Sequence, residues 1–170
     1  GPCLRIGAVL ARLLSTYYRK PLVPVNHALA HIELGAQLTG AKNPLVILVS
    51  GGHTMILLYL NKRWRIFGET LDITIGQLFD QFGRSLGFSS PCGSTIEKLA
   101  NESKREYSWI PYTIKGNDVS FSGLLTSAIK RPKDEKSDIG NTCYSLQETA
   151  FAILAEAAER AIAFTNKEEV

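Results

Sequence analysis

Residues 44–60 read PLVILVSGGHTMILLYL, two apolar runs of strand length broken by Gly51-Gly52. Short apolar runs bounded by turn residues fit buried strands better than helices, and paired glycines supply the backbone freedom that a tight reversal needs. The stretch predicts a β-hairpin with well-buried strands. Downstream, RWRIFGET (63–70) supplies a third strand. In LDITIGQLFDQFGRSLG (71–87), Leu71, Ile75, Leu78, Phe79, Phe82 and Leu86 recur at helical spacing, predicting a helix that stops at Gly87.

Beyond Gly87 the pattern loosens. Residues 88–118 read as loop-rich, with a helix-like apolar pair, Ile96 and Leu99, inside STIEKLANES. SFSGLLTSAIKR predicts a helix ending before Pro132, and PKDEKSD (132–138) a charged, exposed linker. Ser145 and Glu148 form an S-x-x-E capping box ahead of TAFAILAEAAERAIAF, which predicts a final helix starting there. Upstream of the hairpin, RIGAVLARLLSTYY places Ile6, Val9, Leu10, Leu13, Leu14 and Tyr17 on one core-directed helical face. PLVPV (21–25) reads as a short strand, after which Asn26 caps a helix through HALAHIELGAQL, closed by Gly40. The pattern predicts an α/β protein in two unequal parts, 1–40 and 41–170, joined near Thr39–Asn43.

With 45% apolar residues the chain has material for a real core, and its net charge of +3 neither demands nor excludes a nucleic-acid partner. Cys3, Cys92 and Cys143 are odd in number and lack CxxC spacing, which fits reduced thiols in a cytoplasmic protein. No run reaches the ~18 apolar residues of a membrane span, and no signal-peptide layout opens the chain. Met55 is its one methionine, and FTNKEEV ends it where a charged turn would lead into another strand, so the chain reads as a fragment.

Four places carry candidate chemistry. His27 and His31 stand four apart on the second helix, so both imidazoles reach one ion, or else they are polar partners at the rim of a buried helix. A zincin-type protease needs Glu after the first histidine, where this chain has Ala28. In VSGGHT (49–54), bare backbone N–H groups could cradle a phosphate, with a plain hairpin turn as the alternative. Asp80, between Phe79 and Phe82, could accept a ligand hydroxyl or pair with Arg84 on a solvated face. In PCGSTIE (91–97), Gly93 allows close ligand approach and Glu97 could bind a ribose or base, or the segment is a turn before a capped helix.

GPCLRIG, PLVPVNHALAHIELGA, ILVSGGHT, GETLDITIGQLFDQFGRSLGF, PCGSTIEKLA and SFSGLLT, in that order, resemble the central part of the tRNA threonylcarbamoyladenosine transferases, once labelled O-sialoglycoprotein endopeptidases. The resemblance implies an actin-like ATPase fold of the sugar kinase and heat-shock type, here partial, with 1–40 in its first lobe and 41–170 in its second. It implies transfer of threonylcarbamoyl from its adenylate to the adenosine beside the anticodon of ANN-decoding tRNAs. His27 and His31 fall on the family's ligands for one iron or zinc. Leu48, Val49, Ser50, Gly51 and Gly52 fall on its substrate loop, Asp80 on its substrate-binding aspartate, and Gly93 and Glu97 on contacts to nucleotide or threonylcarbamoyl-adenylate. No catalytic residue is implied.

The implied partners are tRNA and the kinase-like and small helical subunits of a KEOPS-type assembly, with no membrane. Leu48 stands where archaeal and eukaryotic members often have tyrosine, and PCGSTIE departs from a loop that usually carries two glycines and a proline. YLNKRWRIFGETLD, short and bulge-free, resembles archaeal members more than bacterial ones. The family's opening ETSCDDT-like strand, closing GGVAAN loop and late aspartate ligand are absent from these 170 residues. Two other readings stand beside transferase: a non-catalytic scaffold that docks KEOPS-type partners and, more distantly, a metalloprotease.

Overall fold

The computed structural model describes residues 1–131 and 136–170, with side chains in its last helix from residue 139 onward. The chain divides into two compact units, Gly1–Gly35 and Ala36–Val170. The first holds α1 (Pro2–Tyr17) and most of α2 (His27–Thr39). Asn26 caps α2 as its spacing predicts, its Oδ1 accepting from Leu29 N at 3.1 Å. Gly40, at φ 75°, follows the helix in the left-handed conformation that glycine tolerates. Two expectations fail in this unit. PLVPV forms no strand, for Pro21 and Pro24 have no N–H to offer a ladder and residues 21–25 are exposed. The apolar face of α1 is also uncovered: none of its residues is buried, and Leu4, Ile6, Val9 and Leu13 are all exposed.

The second unit is built on the antiparallel sheet β1 (Leu45–Val49), β2 (Thr54–Leu60) and β3 (Arg63–Glu69), in that order. The hairpin falls where the glycines predict, with Val49 opposite Thr54. Asn61 and Lys62, both at positive φ, turn β2 into β3 in two residues. The second hairpin is not bulge-free. Ile56 pairs with Gly68 and Leu57 with Ile66, leaving Phe67 as an extra residue that turns inward against the core. The next residue must be glycine, since a Cβ on Gly68 would lie 2.1 Å from the Asn117 carbonyl oxygen.

α3 (Ile75–Ser85) follows, shorter at its start than the apolar spacing suggests, because Thr74 and Gln77 form a capping box there. It ends in the glycine stop foreseen at Gly87. The Phe88 N–H bonds to the Gly83 carbonyl and the Gly87 N–H to that of Arg84, both at 3.0 Å. The stretch expected to be mostly loop contains α4 (Gly93–Glu102) and a small hairpin, β4 (Thr113–Lys115) with β5 (Asp118–Ser120). α5 (Ser122–Ile129) ends before Pro132. Of PKDEKSD, residues 132–135 lie outside the described residues.

α6 (Lys136–Thr165) begins well before the expected cap. Ser145 is buried in mid-helix, where its hydroxyl donates to the Asn141 carbonyl at 2.8 Å and accepts from Ser108 N at 2.9 Å. The capping-box reading is therefore wrong: a serine that bonds back one turn satisfies itself inside a helix. Cys143, Leu146, Ala150, Ile153, Ala157 and Ala161, spaced by threes and fours, make the buried stripe of α6. They pack with Leu45, Ile56, Leu58, Leu78, Phe82, Ile96 and Phe121 into one core. All three cysteines are free, and burial pushes the Cys143 thiol up to about 11, far from reactivity.

Candidate functional site

Three of the candidate residues of the second unit, Ser50, Gly51 and Asp80, meet on one stripe of α3. Ile75, Leu78 and Phe82 face the core, while Gly76, Asp80 and Gly83, at i, i+4 and i+7, share a second stripe roughly a third of a turn away. At its head, a Cβ on Gly76 would sit 2.8 Å from Gly51 Cα and 3.0 Å from the Ser50 carbonyl oxygen, so the 50–53 loop rests directly on the helix. The Thr74 hydroxyl donates to the Gly51 carbonyl at 2.9 Å, and Ile75 N donates to Thr54 Oγ1 at 2.9 Å. The loop is also braced internally, since Ser50 Oγ accepts from the N–H groups of Gly52 and His53 at 3.2 and 3.0 Å. Gly51 and Gly52 are exposed, Leu48 is half-buried, and Val49 and Ser50 lie open beside the turn.

One helical turn further, about 6 Å along the axis, Asp80 Oδ1 accepts from the Cys92 backbone N–H at 2.8 Å. The suggested pairing with Arg84 does not form; Arg84 reaches across to Ser90 Oγ at 3.2 Å. At the foot of the stripe Gly83 meets Cys92, where an added Cβ would lie 2.4 Å from Cys92 Cβ and 2.6 Å from its sulfur. Cys92 is thus a packing residue, wholly buried, that seats the 91–93 loop on α3. Next to it, Gly93 opens α4 with open space where a Cβ would be, and Glu97 is exposed one turn on. The stripe therefore carries two glycine loops, 50–53 and 91–93, with a carboxylate between their attachment points. Asp80 Oδ2 makes no hydrogen bond among the described residues and is left to accept one.

His27 and His31 belong to the first unit. Their Nε2 atoms lie 3.3 Å apart and their rings cross edge to face at 4.5 Å. Two imidazole nitrogens held about 2.0–2.1 Å from one tetrahedral ion would be separated by about 3.3–3.4 Å, so the pair fits two corners of such a site. The same distance suits a hydrogen bond between a protonated and an unprotonated nitrogen. Among the described residues, no group of three or more His, Cys, Asp or Glu side chains is placed to hold an ion.

The whole chain, residues 1–170, matches the family model described as TsaD: tRNA N6-adenosine threonylcarbamoyltransferase. The chain belongs to that family. It is 52% identical to a protein of that name from Staphylothermus marinus and 50% identical to one from Thermococcus sibiricus, each alignment covering all of this chain and 52% of the relative. It is also 49% identical, over its full length, to 31% of a probable bifunctional tRNA threonylcarbamoyladenosine biosynthesis protein of Methanocaldococcus jannaschii. The chain spans about half the length of the transferases it matches.

One residue central to this architecture was not singled out from the motifs of this transferase-family chain. Asp72 accepts hydrogen bonds from Ile73 N (2.7 Å), Phe121 N (2.9 Å), Ser120 Oγ (2.6 Å) and the N–H and hydroxyl of Ser122 (3.2 and 2.5 Å). It clamps the ETLD segment to the start of SFSGLL and caps α5 from outside that helix. Partial burial raises its pKa, but the hydroxyls of Ser120 and Ser122 and the N–H groups of Phe121 and Ile73 outweigh this and hold the carboxyl well below the usual range. The one local signal nearby was Thr74-x-x-Gln77, which marks a helix start directly after Asp72.

Proposed function

We propose that this chain is the central part of an enzyme with an actin-like ATPase fold that transfers a threonylcarbamoyl group from threonylcarbamoyl-adenylate to the adenosine beside the anticodon of ANN-decoding tRNAs. The observation that carries this reading is the family match along all 170 residues. The site geometry supports it. The Gly51 N–H, left over where Ser50 Oγ and the His53 carbonyl take up the other N–H groups of the 50–53 turn, would donate to the phosphate of the adenylate, and Asp80 Oδ2 would accept a hydroxyl of the ligand. Gly93, unhindered at the start of α4, would let the ligand approach backbone, with Glu97 one turn away for its ribose or base.

His27 and His31 would hold a divalent iron or zinc ion, together with further ligands, and such an ion supplies Lewis acidity toward carbamoyl and phosphate oxygens. The two imidazoles meanwhile orient each other edge to face at the start of α2. Cytoplasmic tRNA and KEOPS-type kinase and small helical subunits would be the partners. No helix among the described residues is long and apolar enough to cross a membrane.

The test is mass spectrometry of tRNA nucleosides after incubating the full-length protein with threonine, bicarbonate, ATP and the adenylate-forming enzyme. Threonylcarbamoyladenosine is expected, and Asp80→Ala should reduce it at least tenfold. Because Asp80 also holds the Cys92 N–H, this variant releases the 91–93 loop as well as a ligand contact. A wild-type protein that forms no modified nucleoside overturns the reading. The scaffold alternative draws on the uncovered apolar face of α1, suited to a helical partner; it predicts partner binding with no nucleoside product.

A further inference from the structure

Building on the RNA substrate proposed above, we propose that the tip of the β2–β3 hairpin is a phosphate-binding surface for the RNA backbone, with Lys62, Arg63 and Arg65 as its cations. Between Asn61 and Gly68 every ionisable side chain is cationic. All three are exposed and none has a hydrogen bond or ion pair among the described residues, where the ion pairs are Lys98–Glu102 and Arg160–Glu156. These are charges without an internal use.

The hairpin holds them in fixed positions. The two-residue turn at Asn61-Lys62 sets the register, placing Arg63 opposite Leu60 and Arg65 opposite Leu58. Arg63 and Arg65 therefore leave the same face of an edge strand about 6.6 Å apart along it, a spacing on the scale of neighbouring phosphates in one strand. On the other face Tyr59 and Trp64 pair across the strands with rings 5.4 Å apart, stiffening the tip. Below the bulge, Phe67 is tied to the core and Gly68 lies under the Asn117 carbonyl, so the cationic half of β3 is carried on an anchored base.

Arginines on an edge strand also discourage sheet-to-sheet aggregation, a role that needs no ligand. That role is served by one or two charges anywhere along the edge. It does not call for three cations clustered in residues 62–65 with no acidic residue from 62 to 67, whereas a polyanion favours both.

Binding of a tRNA transcript to the full-length protein, followed by fluorescence anisotropy from about 0.05 to 0.3 M salt, tests the site. Lys62→Gln/Arg63→Gln/Arg65→Gln should bind about 10-fold or more weakly at ~0.1 M salt, with the slope of log affinity against log salt shallower by roughly two to three. Arg63→Lys/Arg65→Lys should retain most of the binding. Unchanged affinity and slope in the triple variant overturns the proposal. A second measurement uses wild-type protein, so it decides the matter even if neutralising the edge costs solubility. Saturating tRNA should protect Arg63 and Arg65 from phenylglyoxal modification, and equal modification with and without tRNA overturns the site. Nucleoside analysis of the same samples separates the two readings. Modified adenosine with no role for the tip removes this site alone, whereas tip-dependent RNA binding without modification removes the transferase reading alone.

Discussion

Asp72 joins two distant stretches of chain through one carboxylate, and its partners Ser120 and Ser122 are 48 and 50 residues away. Such a clamp is not visible as periodicity, because its geometry exists only once the β4–β5 hairpin and α5 have folded against ETLD. Asp72→Asn keeps the side-chain shape but loses the anionic acceptor, and should lower stability at neutral pH by about 1–2 kcal/mol, read as a lower urea midpoint. The sign of its pH dependence follows from a folded-state pKa depressed below an unfolded value of about 3.9. The contribution is complete above that value and is lost as pH falls toward the folded pKa. Urea midpoints of wild type and variant should therefore converge below about pH 4 and keep a constant gap from about pH 5 to 8. A gap that persists at low pH would show that the charge of Asp72 does not carry the clamp.

Elements with a strong period were legible, and those made by contact were not. The strands of residues 45–60 and the core stripe of α3 follow directly from apolar spacing. β4 and β5 have three residues each, too few for a period to register. The first turns of α6 carry serine, asparagine and threonine, which read as a cap or a linker until the buried contacts of Ser145 are known. The second stripe of α3 was legible only in part: Asp80 stood out as a charge between phenylalanines, but nothing local showed that Gly76 and Gly83 are needed for close approach. Gly83→Ala tests this. Alanine gains about 1 kcal/mol of helix propensity, but its methyl would overlap Cys92 Cβ and Sγ, both fixed in the core. Overpacking of about 1–3 kcal/mol should win and lower the melting temperature. Gly83→Ala/Cys92→Gly, which removes the obstructing atoms, should recover most of the loss. A single variant as stable as wild type would mean that this contact is slack.

Over the whole molecule, the division into Gly1–Gly35 and Ala36–Val170 places the histidine pair and the α3 stripe in different units. The family was legible because six motifs occur in order, whereas the open face of α1 could not be foreseen: helical spacing shows that a face is apolar, not what covers it. Among the described residues the histidine pair offers an ion two imidazole nitrogens, fewer than the three protein ligands of a usual catalytic zinc. Expressed on its own, the chain should retain well under one iron or zinc per chain by elemental analysis. One full equivalent, lost in His31→Ala, would refute this. The stripe on α3 has a mechanical consequence as well. Gly76 and Gly83 leave no slack between the helix and the loops at 50–53 and 91–93, and a helix of 11 residues transmits a push without stretching. The two loops are therefore footed on one helix, and the separation of their seats is set by its rise of about 1.5 Å per residue, not by either loop.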